Sequence, residues 1–200
     1  MRFFKRQSQG AVGLATPQIR RADPAPFRLT DGYAPLRSGE TGLYRAIRES
    51  VPLVDACIYK IIRLCGGVSA RCGDPGAEKG LRTFLETVDV GRGQRGVNAF
   101  LDQYLDSMLV SGQAVGEMVL TRDKRDIAAV LCGRVEDIRI REGESPLDFA
   151  ICAVDQYGEA VPLPHQELLL FTPYNPETEH PYGVCLLYTS PSPRDSTSSR

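Results

Sequence analysis

Gly91-Arg92-Gly93-Gln94-Arg95-Gly96 is the run in this chain whose residue types and spacing come nearest to a known chemistry. It fits G-x-G-x-x-G and leads into a helical pattern. Bare glycine amides before a helix N-terminus can hold a pyrophosphate. Asp123, beyond the next strand pattern, stands where an acid could meet a ribose hydroxyl. One reading is therefore a nucleotide- or dinucleotide-binding enzyme domain, in which Val88 to Gly91 would end a parallel central strand. Three features oppose it. Leu81 to Val88 has helical rather than strand period, no convincing buried strand precedes Gly91, and the downstream elements look antiparallel. The plainer reading is a helix–helix connection whose Arg92 and Arg95 meet an acidic surface.

Other reactive combinations are weaker. Ser111-Gly112 ends a helical stripe and forms no elbow after a strand. His165 and His180 read as a strand-edge and a loop histidine. Glu136-Asp137 and the Glu142/Glu144 pair fall in turns, where acids are usually solvated. Cysteines occur at 57, 65, 72, 132, 152 and 185, with no C-x-x-C pair and with both histidines far from any cysteine cluster. That argues against zinc and for free thiols packed as small hydrophobes in a reducing compartment. Nothing here supports a catalytic group, a metal or a cofactor.

The elements that would position these residues are legible from their periods. Val97, Phe100, Leu101, Tyr104, Leu105, Met108 and Leu109 recur at three- and four-residue steps, leaving Asp102, Gln103, Asp106 and Ser107 towards water. Gly112 follows as a left-handed cap. Gln113 to Thr121 reads as a strand, Arg122 to Asp126 as a polar turn, and Ile127 to Leu131 as the return. Ile138 and Ile140 alternate with Asp137, Arg139 and Arg141, a strand with one wet face. Phe149 to Val154, a turn at Tyr157-Gly158 and Val161 to Leu163 add strand patterns, while Leu168 to Phe171 is ambiguous.

Upstream, Thr41 is placed to cap a short helix from Gly42 to Glu49, and Ser50 with Pro52 to restart another. Its apolar side would carry Leu53, Val54, Cys57, Ile58, Ile61, Ile62 and Cys65. Val68 to Cys72 suggests a short strand, and Asp74-Pro75 opens a third helix bearing Leu81, Phe84, Leu85 and Val88. Asp89 to Gly96 is then a glycine-rich linker. The fold class is α+β, helices followed by an antiparallel sheet.

The 200 residues are 42% hydrophobic and 24% charged, ordinary for a globular chain, with no apolar run long enough to span a membrane and no signal-peptide pattern. Net charge is −1, but residues 1–71 carry 12 Lys/Arg against 5 Asp/Glu and the remainder 12 against 20. A basic arm thus precedes an acidic body, and such an arm suits an acidic partner when it is not simply solvated. Residues 1–40 are Pro- and Gly-rich and read as an extended arm; 41–184 form the α+β body; 185–200 lack any core-forming pattern. Cys185 to Asp195 resembles a translated sequencing-library adapter at every position. On that reading the tail is artefactual and the natural sequence is interrupted near Val184.

From Leu43 onwards the order of elements resembles the portal proteins of tailed bacteriophages. The helix Val54-Asp55-Ala56-Cys57-Ile58 resembles the family's V-x-A-C-[IV] pattern, and Gly112-Gln113-Ala114-Val115-Gly116-Glu117 its G-x-A-x-x-E passage from helix into strand. The Ile127 to Leu131 and Val135 to Ile140 segments, His165 to Phe171, and Pro181-Tyr182-Gly183-Val184 look like stretches that follow in those proteins. The resemblance covers roughly residues 41–184 and implies the wing region of an α+β portal subunit. It implies no enzyme activity and no cofactor. It implies a ring homo-oligomer, typically a dodecamer, at a capsid vertex of the virion, assembled in the bacterial host cytoplasm. Its partners would be further copies of itself, the terminase large subunit, major capsid and head-completion proteins, and double-stranded DNA bound non-specifically, with no membrane. Arg92, Arg95, Arg122, Lys124 and Arg125 are the candidate contacts to DNA or a neighbouring subunit, by salt-sensitive electrostatics. The stem helices, clip and channel loop of such proteins have no counterpart here.

Overall fold

The computed structural model describes residue 18, residues 36–142, 149–154 and 159–174, and residue 185. Among these residues four helices, α1 (Leu36–Ser50), α2 (Pro52–Cys65), α3 (Pro75–Thr87) and α4 (Val97–Ser111), combine with eight strands in an α+β fold. The strands are β1 (Asp89–Gly91), β2 (Gln94–Arg95), β3 (Gln113–Leu120), β4 (Ile127–Cys132), β5 (Ile138–Glu142), β6 (Phe149–Val154), β7 (Ala160–Pro162) and β8 (Leu169–Pro173). They form a five-stranded sheet of order β2-β1-β4-β3-β8 and a three-stranded sheet of order β5-β6-β7. Among the described residues no helix is long and apolar enough to cross a membrane.

The α4–β3 unit is central because both of its elements are covered on two sides. Phe100 and Tyr104 of α4 pack on Val88, Val90, Ala114 and Val130, so one helix face lies on the sheet. Leu109 and Val110 pack against Ile58 and Ile62 of α2 on the other side. Gly112 ends the helix at φ 74°, the left-handed cap its position suggested. Strand alternation then sends Ala114 to the helix side, while Val115 joins Ile138, Ile140, Ile151, Leu163 and Leu169 between the two sheets. Gly116 is a close approach. A Cβ there would lie 3.0 Å from Phe100 Cζ and 3.3 Å from Tyr104 Cε2. The helix can sit this near the sheet only over a residue without a side chain.

Most strand pairs are antiparallel: β1 with β2, β3 with β4 and β8, β5 with β6, and β6 with β7. One pair is not. β1 runs parallel to β4 through Asp89 opposite Ala129. The ambiguous run divides into a 3₁₀ turn, Gln166–Leu168, followed by β8. Ile138 and Ile140 point inward and Arg139 and Arg141 outward, as their alternation indicates.

Several local expectations are corrected. α1 begins at Leu36, inside the segment read as an arm, and Thr41 is a buried helical residue rather than a cap. Tyr44 packs against the α2–α4 cluster and Arg48 bonds to α4, tertiary contacts that outweigh the glycines at 39 and 42. α2 is capped by Val51 without a side-chain bond, while Ser50 Oγ donates to the Ala46 carbonyl of the preceding helix. Pro52 does sit in the first turn, and Asp74 does cap α3 by accepting from the Gly76 amide at 2.8 Å. Val68 to Cys72 forms no strand. Asp89 to Gly96 is the β1–β2 hairpin, not a linker. Cys57 and Cys65 are exposed, so the apolar side assigned to α2 is only half used; Cys152 is the fully buried thiol of β6.

The arm touches the body at one described point. Glu117, only 2% exposed on the interior strand β3, accepts the Gln18 amide N–H at 2.8 and 2.9 Å. The Gln18 side chain pairs with the His165 backbone, accepting its N–H at 3.0 Å and donating to its carbonyl at 3.4 Å. A carboxylate this buried needs donors around it. Cys185 is buried too, its thiol 3.0 Å from the Val110 carbonyl at the end of α4. The rest of the arm before residue 36, His180, Glu144, the Tyr157-Gly158 turn, residues 181–184 and the remainder of the tail lie outside the described residues.

Candidate functional site

A cleft of about 450 Å³ lies where the helices meet the β1–β2 end of the large sheet. α1 contributes Arg45 and Arg48, and α2 contributes Tyr59 and Arg63. The α4 stripe of Asp102, Gln103, Asp106 and Ser107, which its sequence period assigned to water, lines the cleft instead. Arg92 and Gln94 enter from the hairpin, and Arg134 and Glu136 from the chain after β4. Five arginines therefore face three carboxylates.

Most of these charges are committed to holding the helices in place. Arg45 Nη2 lies 2.8 Å from Glu136 Oε1. Arg48 bridges two helices, with Nε 2.6 Å from Asp55 and Nη1 2.5 Å from Asp106. Burial works against the Arg48 charge, yet hydrogen bonds to Asp55 and Asp106 outweigh it and raise its pKa. Arg134 shares Glu136 at 3.7 Å and reaches Asp137 at 3.9 Å. Arg63 donates to the Tyr59 hydroxyl at 2.9 and 2.7 Å, its guanidinium 5.0 Å from the ring centroid. The Gln103 amide donates to Gln94 Oε1 at 2.6 Å. Cys132 also lines the cleft. Burial, with the nearby Asp106 charge, pushes its thiol up to about 11 against the opposing pull of Arg92. It is protonated at neutral pH and makes a poor nucleophile.

The five cations singled out from sequence do not form one patch. Arg92 lines the cleft; Arg95 lies on β2, exposed and opposite Asp89. Arg122, Lys124 and Arg125 occupy the β3–β4 turn, at the other end of β4. That turn is closed by Lys124 N–H to the Thr121 carbonyl and Thr121 N–H to the Asp126 carbonyl, both 2.9 Å. Asp123 accepts from the Thr121 hydroxyl, and that bond, with the Arg125 N–H, holds its carboxyl below the usual range. It has a turn to brace rather than a ribose to meet. Arg45, Arg48, Arg63 and Arg134 went unremarked in the sequence. The signal was there, since the first three belong to the basic third and Asp102, Asp106 and Glu136 to the acidic remainder. Part of the charge asymmetry is thus used within the chain.

The glycine loop has a structural account. Arg92 and Gly93 take φ 56° and 75° between paired Gly91 and Gln94, a two-residue hairpin turn with both central residues left-handed. The Gly91 N–H is taken by Asp89 Oδ1 at 2.7 Å and the Gly96 N–H by the Val88 carbonyl at 2.8 Å. Gly96 has φ 88°, and a Cβ would meet the Leu85 and Glu86 carbonyl oxygens at 3.1 Å. A strand does end at Gly91 and it does have a parallel neighbour. It turns back into β2 rather than into a helix, however, and α4 then leads to β3, which runs antiparallel to β4 and hence to β1. The strand–loop–helix–parallel strand connection of dinucleotide folds is not made.

Among the described residues, no three His, Cys, Asp or Glu side chains converge as a metal site. No family model matches the chain, and no curated protein is significantly similar to it.

Proposed function

We propose that the chain is the wing part of a ring-forming subunit of the phage portal type, a structural component rather than an enzyme. The observation that carries this reading is the helix-to-strand passage Gly112-x-Ala114-x-x-Glu117. Gly112 supplies the left-handed cap, Ala114 is fully buried against α4, and Glu117 is the buried carboxylate of β3. Each residue of the resembling pattern therefore has a physical job at the junction that organises the fold. The α4–β3–β4 order and the β5 strand that follows also agree with the resemblance.

On this reading the ring sits at a capsid vertex of the virion, is assembled in the host cytoplasm, passes double-stranded DNA, and docks the terminase large subunit, major capsid and head-completion proteins. Arg95, Arg122, Lys124 and Arg125, all outside the cleft, are the cations left for a neighbour or for DNA. Such contacts are heterologous and close by rotation.

The test joins residues 1–184 to their natural continuation and measures mass in solution and particle shape by electron microscopy. Closed rings with a central channel support the proposal. A monomer at every concentration and salt tried overturns it.

A further inference from the structure

We infer that the cleft between α2, α4 and the β1–β2 hairpin binds the phosphate group of a small ligand, with the Arg92 guanidinium as its principal contact. The inference stands whether or not the chain forms a ring. Three independent observations lead to it.

The first is the pairing of charges. The ion pairs join Arg45, Arg48 and Arg134 to Glu136, Asp55, Asp106 and Asp137. Arg63 is bonded to the Tyr59 phenol with the Asp102 charge acting on it, and Arg92 has no hydrogen bond or ion pair among the described residues. Arg92 is thus the cleft guanidinium left to meet a phosphate monoester, which carries about −1.5 to −2 at neutral pH.

The second is conformation. Arg92 holds φ 56° at a turn position where glycine, asparagine or aspartate is the ordinary choice. That backbone state is unfavourable for an L side chain, and no contact within the described chain rewards having arginine there. A planar fork of donors facing an anion would.

The third is size and lining. About 450 Å³ falls in the range of small-molecule sites and is far too narrow for a duplex. Beside the cations it offers the amides of Gln94 and Gln103 and the apolar side of Ile62 and Val110. That suits a phosphate attached to an organic body of about nucleotide size. The glycine loop would then recognise phosphate through one side chain, not through the backbone amides that its G-x-G-x-x-G spacing suggests.

Two sources share this chemistry, a free phosphorylated metabolite and the backbone of a single nucleic-acid strand. The experiment uses adenosine 5′-monophosphate, inorganic pyrophosphate and a short single strand of thymidylates as probes. It follows the melting temperature of the full chain at low salt, where ligand binding to the folded state raises it. The decisive variant is R92G, because glycine adopts φ 56° without strain and the turn is kept. K79A, on the exposed side of α3 and outside the cleft, controls for non-specific attraction.

The expected result is a rise with either small probe. Apparent affinity should be at least about tenfold weaker in R92G and unchanged in K79A. A rise with the thymidylate strand alone, again lost in R92G, also supports the site and assigns the phosphate to a nucleic-acid backbone. The inference is overturned if no probe raises the melting temperature, or if R92G responds as the unmodified chain does.

Discussion

α4 and α2 are both apolar helices of similar length, yet they meet opposite fates. α4 is covered on two sides, by the large sheet beneath Phe100 and Tyr104 and by α2 against Leu109 and Val110. α2 is covered on one side only. Ile58 and Ile62 are buried, while Leu53 and Leu64 are 73% and 72% exposed and Cys57 lies between them. Hydrophobic residues on a helix therefore identify which faces can be buried, not which faces are. The difference arises from position. α4 lies between a sheet and a helix layer, and α2 belongs to that layer, with α1 beside it.

The largest expected effect lies on the α4 side. Phe100→Ala removes the ring that fills the gap over Gly116 and should cost about 3–5 kcal/mol in chemical denaturation. A loss below about 1 kcal/mol would mean that α4 is not seated on the sheet as described.

A middle-sized effect is expected at Glu117. Glu117→Gln exchanges charge-assisted bonds from the Gln18 amide for neutral ones, and should cost about 1–2 kcal/mol. Deleting residues 1–35 removes the same donor. The two changes together should therefore cost clearly less than their sum; additive losses would break the link between arm and β3.

The smallest effect belongs to the outer face of α2. Leu53→Gln and Leu64→Gln keep helix propensity and should each stay within about 0.5 kcal/mol of the unmodified chain, read from the same denaturation curves. A loss comparable to Phe100→Ala would show that this face is covered in solution and erase the contrast between the helices.

Much of the fold was legible because local periods report local facts. The α4 stripe, the Gly112 cap, the Asp74-Pro75 start, the β3–β4 hairpin with its polar turn and the Ile138/Ile140 alternation all depend on residues within a few positions of each other. Signals that failed were those in which a distant contact overruled the local choice. Ser50 resembled a cap but completes the preceding helix, and Thr41 resembled a cap but lies inside one. The Asp89–Gly96 glycines suggested slack where a hairpin is held tightly under the end of α3. Of the candidate cations, only Arg92 proved to line the cleft, and the residues that join it there come from four separate segments.

By itself the sequence determined most of the element types, the apolar stripe by which α4 is buried and the separation of a basic segment from an acidic body. All of these follow from residue identity and near-neighbour spacing. Only the tertiary structure decided that β1 runs parallel to β4, that the α4 polar stripe meets Arg48 rather than water, and that Arg92 and the 122–125 cations stand at opposite ends of one strand. Those outcomes depend on which surfaces come together across many residues, and a free energy of that kind has no local pattern to announce it.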